Sequence, residues 1–341
     1  MTGRQYAAAG VDLAAADAAK ARIIEAVAGA QTALSVGRPG AFGGMVRVPA
    51  GMRRPVLVMS TDGVGTKVLV ALQTGVYDTV GEDLVNHSVN DVLVHGAAPL
   101  AFLDYIAGAG LGTPVLAGIV EGVARGCRAH GMALAGGETA QMPGLYAPGH
   151  FDLAGTIVGV VEEDEAIHGD RTRPGDVLVG YAASGLHTNG YTLARRILFD
   201  AMGLGTGAPF PEDGRTVAEV LLAVHRSYAR AIRPALGRIH ALAHITGGGI
   251  AGNLVRVLPE GVEAVVEAGS WAWPALHRVL QAGGGVTTAE MREVFNLGIG
   301  MIAVVPPSEV DAVRAAAAAD RVETSVIGAT RAGERGVRFA E

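Results

Sequence analysis

The apolar positions of this chain follow two rhythms, one of period two and one near 3.6. Pro55-Val56-Leu57-Val58-Met59 is an unbroken apolar run that reads as a buried strand. Pro99 to Ala107 predicts another, and a long alternating strand begins near Phe151 and closes at Val158 to Val161. Between them, Thr79 to His95 sets Val80, Leu84, Val85, Val89, Val92 and Leu93 on one face of a helix. Pro114 to His130 predicts a helix stopped by Gly131, and an earlier helix starts at an Asp12 cap and ends near Ala30. Met132 to Ala135 predicts a short strand that ends at Gly136-Gly137-Glu138-Thr139.

A charged segment, Asp164 to Gly175, then closes on the turn signal Arg173-Pro174-Gly175-Asp176. After it the alternation resumes. Val177 to Tyr181 predicts a strand, Tyr191 to about Met202 a helix, and the stretch through Leu254 a helix opened by His244-Ile245-Thr246-Gly247-Gly248-Gly249. Trp273 to Gln281 and Glu309 to Ala319 predict helices around an apolar strand, Gly298 to Val305. Strands and helices interleave throughout, so the expected class is α/β, of α+β type, with one domain over residues 1–168 and a second over 169–341.

Composition narrows the function. Of 341 residues, 50% are hydrophobic and 18% charged, which is a folded globular chain and not a disordered one. The formal net charge is −6 with no basic tract, which argues against nucleic acid or an anionic membrane as partner. No apolar run is long enough to cross a bilayer, and the first residues do not read as a signal peptide. The one cysteine, Cys127, lies in a helical stretch, so neither an internal disulfide nor a multi-cysteine metal site is expected. The expected compartment is the cytoplasm.

The chemistry concentrates in a few short segments. Ser60-Thr61-Asp62-Gly63-Val64-Gly65-Thr66-Lys67 directly follows the first strand, where α/β sheets usually present ligands. Its glycines let backbone N–H groups approach an anion, Lys67 brings a point charge for phosphate, and Asp62 can hold Mg²⁺. Asp83, His87 and Asp91 share one helix face at i, i+4 and i+8, with Asn90 beside them; the plain alternative is a solvated polar face. Gly136-Gly137-Glu138-Thr139 adds a carboxylate and a hydroxyl after two glycines, or is a simple turn. Carboxylates such as Asp62, Asp91 and Glu138 at one locus repel unless a cation sits between them, and Mg²⁺ with a polyphosphate answers that need.

In the second half, His187 sits among Ser184, Thr188 and Asn189. It is either a surface histidine or an acid–base or phosphate-positioning group. Thr246-Gly247-Gly248-Gly249 at a helix start reads as an anion site or as a flexible loop. His95, His130, His168, His225 and His240 show no metal-ligand spacing and read as structural or solvated, and Trp271 and Trp273 read as packing residues.

These segments together resemble the phosphoribosylformylglycinamidine cyclo-ligases, or AIR synthetases. The resemblance runs almost end to end, through Tyr6 to Asp12, Asp62 to Lys67, Val89-Asn90-Asp91, Phe102 to Tyr105, Gly136 to Gly144, Ser184 to Tyr191, His244 to Gly249, Ser270 to Pro274 and Phe295 to Met301. The lysine motif is shared with a wider ATP-using superfamily that includes thiamine-monophosphate kinase and selenophosphate synthetase. The latter usually needs a reactive cysteine near its N-terminus, and none precedes Cys127. The Gly-Gly-Glu-Thr-Ala-Xaa-Met-Pro-Gly run and the paired tryptophans are more specific. The chain departs from the family pattern in two places. Ala28 to Ser35 carries no lysine or arginine where members often carry a basic run, and Leu186 stands where proline is common. A non-catalytic nucleotide-binding regulator is the rival from another class, which the retained Asp62, Lys67, Asp91, Glu138 and His187 argue against.

The resemblance implies ATP-dependent closure of the imidazole ring of formylglycinamidine ribonucleotide. It also implies a homodimer in which N-terminal strands of two subunits pair into a shared β-barrel, beside a C-terminal mixed sheet with helices. By residue, it implies Asp62, Asp91 and Glu138 for Mg²⁺, and His187, Lys67 and Asn189 in catalysis. ATP would be held by Asp62, Gly63, Gly65, Thr66, Lys67, Asn90, Asp91, Gly136, Gly137, Glu138 and Thr139. Thr246, Gly247, Gly248 and Gly249 would hold the substrate phosphate.

Overall fold

The computed structural model describes residues 23–37 and 42–340. The Tyr6–Asp12 motif, the Asp12 cap and Arg38 fall outside them. Residues 23–29 are helical, which agrees with the end expected for the first helix. The chain divides into two compact units, one of residues through Val92 with Ala98–Glu162, the other of Leu93–Ala97 with Glu163–Glu341.

In the first unit, a short ladder of β1 (Ser35–Val36) and β2 (Met45–Val46) accompanies a four-stranded sheet. The sheet contains β3 (Pro55–Gly63), β4 (Ala98–Gly108), β5 (Ala133–Gln141) and β6 (Phe151–Glu162), in the order β3-β6-β4-β5. Only the β4–β5 pair is parallel, and α3 (Thr113–Ala129) links those strands, as a parallel pair requires. Helices α1 (Lys67–Thr74) and α2 (Asp78–Leu93) connect β3 to β4.

Side chains of β4 alternate as the pleat demands. Phe102 and Ile106 are buried, while Leu103 and Tyr105 are exposed. The sheet therefore has one face turned to its helices and one apolar face open, and the open face also carries Leu57 and Met59. Helices α2 and α3 cross almost backbone to backbone. A Cβ on Gly81 would stand 2.1 Å from the Ile119 carbonyl oxygen, and one on Gly122 would stand 2.0 Å from that of Asp78. Arg125 locks the crossing through Glu82 at 2.6 Å and Asp78 at 3.0 Å.

Two expectations change here. Strand β3 runs on through Asp62 and Gly63, because Gly63 still pairs with Ala154 of β6. Strand β5 does not stop before Gly136-Gly137-Glu138-Thr139. Those four residues pair in parallel with Leu103, Asp104, Tyr105 and Ile106 of β4, so the expected turn is strand. The reason is a long-range one. A Cβ on Gly137 would lie 2.2 Å from Asp104 Oδ1, so a glycine is what lets β5 lie beside that carboxyl.

The second unit is a six-stranded sheet in the order β12-β9-β11-β7-β10-β8. Its strands are β7 (Val177–Ala182), β8 (Ala241–His244), β9 (Val262–Glu267), β10 (Ile299–Val305), β11 (Thr324–Ala332) and β12 (Gly336–Ala340). All pairs are antiparallel except β12 with β9, so the sheet is mixed. Strand β10 lies between β7 and the edge strand β8 and is wholly buried. It packs with Leu178, Ile245, Ile250, Leu254 and Ile327 in one cluster, where each fully buried aliphatic side chain contributes about 1.5–3 kcal/mol. Two helices stand in expected places, α4 (Tyr191–Arg195), which continues into a π-helical turn over Arg196–Ala201, and α7 (Gly249–Leu254), which follows the Thr246 loop; the short α5 (Val217–Leu221) and α6 (Ala229–Ile232) between them are additional. Later come α8 (Ala275–Gly284), α9 (Thr288–Val294) and α10 (Val310–Ala319).

Candidate active site

In the first unit the polar groups gather where β3 ends against α2. Asp83, His87 and Asp91 do share one helix face, and that face is turned inward. His87 Nε2 stands 2.6 Å from Asp62 Oδ2 and 3.9 Å from Asp91 Oδ2. Ser60 Oγ donates to Asp91 Oδ2 at 2.8 Å, and the Gly63 N–H donates to Asp62 Oδ1 at 2.7 Å. Burial alone would lower the His87 pKa, but the bond to Asp62 and the charges of Asp91, Asp62 and Asp83 outweigh it and raise the pKa. For Asp62, burial pulls the pKa up; the His87 bond and charge and the Gly63 N–H overcome it, and the carboxyl is held below its ordinary value. Two acids thus flank one ring whose cationic form they favour.

Lys67 takes a different place from the one its motif suggests. Its side chain is fully buried, with Nζ 2.7 Å from Asp83 Oδ2. Burial lowers its pKa, against the opposing pull of Asp83. Glu138 also stands apart. Asp62, Gly155, Asp104 and Gly137 form one row across the sheet, and Gly63, Ala154, Tyr105 and Glu138 form the next. Adjacent positions on a strand point to opposite faces, so Glu138 lies on the open face, three strand steps or roughly 14 Å from β3. There it lines a cleft of about 550 Å³ together with Thr61, Tyr105, Gly136, Thr139 and Thr156.

In the second unit the expected loop wraps a buried histidine. His187 has no exposed surface and a left-handed backbone, φ 64°, which a non-glycine residue adopts only where its surroundings enforce it. The Ser184 N–H donates to His187 Nε2 at 3.3 Å. An amide can only donate, so this nitrogen is an acceptor and the ring proton belongs on Nδ1. The histidine is held close because Gly300 on β10 has no side chain. A Cβ there would be 2.4 Å from His187 Cε1 and 2.1 Å from the Tyr228 hydroxyl. Asn189 lies against the glycine loop, its Oδ1 3.4 Å from where a Gly247 Cβ would be. Asn253 Nδ2 donates to the carbonyls of Gly247 at 3.2 Å and Gly249 at 2.8 Å, which leaves the loop amides outside that bracing.

Similarity to known proteins identifies the family of the chain. A family described as AIR synthase related protein matches by its N-terminal domain over residues 44–161 and by its C-terminal domain over 173–341. A phosphoribosylformylglycinamidine cyclo-ligase of Sorangium cellulosum is 49% identical over 310 residues, covering 90% of this chain and 89% of the relative. One from Parasynechococcus marenigrum is 45% identical and covers 95% of both chains. The chain belongs to the phosphoribosylformylglycinamidine cyclo-ligase family.

Solved structures extend the likeness of fold beyond the cyclo-ligases. A thiamine-monophosphate kinase from Stenotrophomonas maltophilia superposes with a TM-score of 0.66 at 18% identity, covering 95% of this chain and 94% of that one. The hydrogenase maturation protein HypE, in complex with ATP, gives 0.64 at 21% identity, covering 94% and 91%.

For a cyclo-ligase, then, the structure brings Asp62, Asp91 and the Gly63–Thr66 segment to one end of β3 and α2, while Asn90 is fully buried on α2. It brings His187, Asn189 and Thr246–Gly249 together in the other unit, and it leaves Glu138 and Gly136 on the open sheet face. Three residues escaped the sequence reading. His87 was seen only as part of a polar face, although its i+4 spacing to Asp91 is the signal that would have found it. Asp104 is half-buried behind Gly137, and its carboxyl is pushed up by burial to about 7. His225 reads in sequence only as structural or solvated; it is buried, and its ring stacks on that of His187.

Proposed function

We propose that this chain closes the imidazole ring of formylglycinamidine ribonucleotide, using ATP and yielding aminoimidazole ribonucleotide, ADP and phosphate, as a step of de novo purine synthesis. The observation that carries the reading is identity of 45–49% to cyclo-ligases over nine-tenths or more of the chain.

The chemical difficulty is that an amide oxygen is a poor leaving group. Transfer of the γ-phosphoryl group of ATP to that oxygen makes it a good one. The internal amine nitrogen then attacks the same carbon, the C–O bond breaks, and the oxygen departs within inorganic phosphate. Catalysis of this kind rests on holding the partners and balancing charge.

Asp62 and Asp91 fit a hard divalent cation, since both present carboxylate oxygens at one place beside His87, whose charge the cation would have to displace. Mg²⁺ held by them would neutralise phosphate charge. Glu138 sits with the nucleotide-sized cleft of the open face and contributes from there, with Gly136, Gly137 and Thr139. Gly63, Gly65 and Thr66 shape the turn that leads into α1, whose N-terminal end favours phosphate, and Asn90 would join them in holding ATP. Lys67 is closed in its pair with Asp83, so its task in this form is to anchor that turn; contact with ATP phosphates would require the pair to open.

His187 carries its proton on Nδ1 and is fully buried in this form, so moving a proton at the reacting amidine would require its loop to open, with Asn189 orienting the substrate. Thr246 to Gly249 would hold the ribose phosphate. The open apolar face of Leu57, Met59, Leu103 and Tyr105 supports a homodimer through the first unit. Among the described residues no helix is long and apolar enough to cross a membrane; the cytoplasmic location is part of the proposal.

The test is ADP release from Mg·ATP, with and without formylglycinamidine ribonucleotide, while the imidazole product is followed. Substrate-dependent ADP matched one for one by product is the expected result. ADP without the imidazole would overturn the assignment in favour of a kinase.

A further inference from the structure

Three buried imidazoles meet behind the Ser184–Gly190 loop, and only one of them belongs to the motif. His187 and His225 stack with ring centroids 3.9 Å apart and planes 23° from parallel. His225 Nε2 is 3.2 Å from His244 Nε2, and its Nδ1 is 3.4 Å from Thr188 Oγ1. His244 is the last residue of β8, fixed by pairing with Met301. The segment around His225 is tied to the His187 loop as well, because Ser184 Oγ donates to the Val224 carbonyl at 2.6 Å. Arg226 and the Tyr228 hydroxyl both donate to the Ala182 carbonyl, at 2.9 and 3.1 Å.

Two facing Nε2 atoms at hydrogen-bond distance share one proton: one nitrogen donates and the other accepts. With its proton on Nε2, His225 accepts from the Thr188 hydroxyl; with its proton on Nδ1, it donates to that hydroxyl. In either form both edges of the His225 ring are held, so the ring cannot rotate. A ring held on both edges presents a fixed flat face, and that face is where His187 rests. Gly300 and Tyr228 also pack close to His187, with Gly300 beside its Cε1 edge.

We propose that His225 is a positioning residue for His187: clamped by His244 and Thr188, it fixes the plane in which the His187 ring meets substrate. The proposal rests on the catalytic role given to His187 above. Nitrogens of these three rings lie within 4.8 Å of one another, close enough for a metal, but the ring planes do not favour one. Nearly parallel rings 3.9 Å apart direct their in-plane lone pairs along separate planes, and His187 Nε2 already receives the Ser184 N–H.

The experiment compares full-length wild type with His225→Thr, His225→Phe and His187→Asn. It reads kcat, KM for each substrate, melting temperature, bound metal, and the imidazole ¹⁵N shifts of His187. Threonine removes the platform, and phenylalanine keeps a flat face without the polar edges. The expected result is a fall in kcat of about 10- to 100-fold for His225→Thr, with KM within about threefold. His225→Phe should recover most of that loss, and a single Nδ1-protonated form of His187 in wild type should become averaged in His225→Thr. Equal kcat in wild type and His225→Thr, with unchanged ¹⁵N shifts, would overturn the proposal. So would one equivalent of zinc that copurifies with wild type and is lost in His225→Thr. If His187→Asn keeps full kcat, the catalytic reading of His187 fails by itself, and the ¹⁵N shifts still decide whether His225 positions the ring.

Discussion

At the scale of single residues, the site depends on side chains that are absent as much as on those present. Gly300 is the clearest instance, because any Cβ there meets both His187 and Tyr228. Gly300→Ala is expected to cost about 1–3 kcal/mol in urea unfolding and to lower activity further by displacing His187. His187→Asn should fold normally and lose about 10²-fold or more in kcat, which steady-state assays would show. Asp91→Asn removes one of the two carboxylates beside His87, and should raise the Mg²⁺ concentration for half-maximal rate about tenfold or more. Asp104 gives a pH signature. Its carboxyl ionises near 3.8 in the unfolded chain and at about 7 in the folded one. Between those values the folded state keeps a proton that the unfolded state releases, so this group's contribution to stability falls as pH rises through the window. Denaturant titrations at pH 5 and pH 8 should show a smaller drop for Asp104→Asn than for wild type.

At the scale of elements, the Lys67–Asp83 pair staples α1 to α2 in a fully buried setting. Lys67→Met leaves Asp83 buried without its cation and is expected to cost about 3–5 kcal/mol, whereas Lys67→Met with Asp83→Leu should recover much of it. Chemical denaturation of the two variants checks this. That pair also shows where a sequence stops being legible. A lysine after Gly-Val-Gly-Thr reads as a phosphate ligand, and nothing local reveals the carboxylate sixteen positions on that claims it. Strong periodic segments were readable: α2, α3, β4, β6 and β10 lie within a residue or two of their expected bounds. Strand β5 was cut short because two consecutive glycines signal a turn, and only the parallel neighbour Asp104 explains them in a strand. Strands β8, β9, β11 and β12 were passed over. The first is four residues long, and β12 lies at an edge with little burial to pattern it. In the site, motif residues were legible as types, whereas the separation of Glu138 from Asp62 and the company of His187 were set by register and topology.

At the scale of the whole molecule, the described residues of the first unit leave Leu57, Met59, Leu103 and Tyr105 exposed on one sheet face. Such a face on a folded chain needs a partner surface, and a second copy of the same sheet is the one the proposal names. Leu57→Asp with Met59→Lys is expected to shift sedimentation from dimer to monomer; an unchanged dimer would place the contact elsewhere. The central claim is chemical: ATP activates the amide oxygen so that the ring can close. The most direct measurement uses formylglycinamidine ribonucleotide labelled with ¹⁸O at that oxygen, with mass analysis of the released phosphate. The account predicts one labelled oxygen in each phosphate, in step with ADP and the imidazole product. Unlabelled phosphate accompanied by imidazole formation would contradict it.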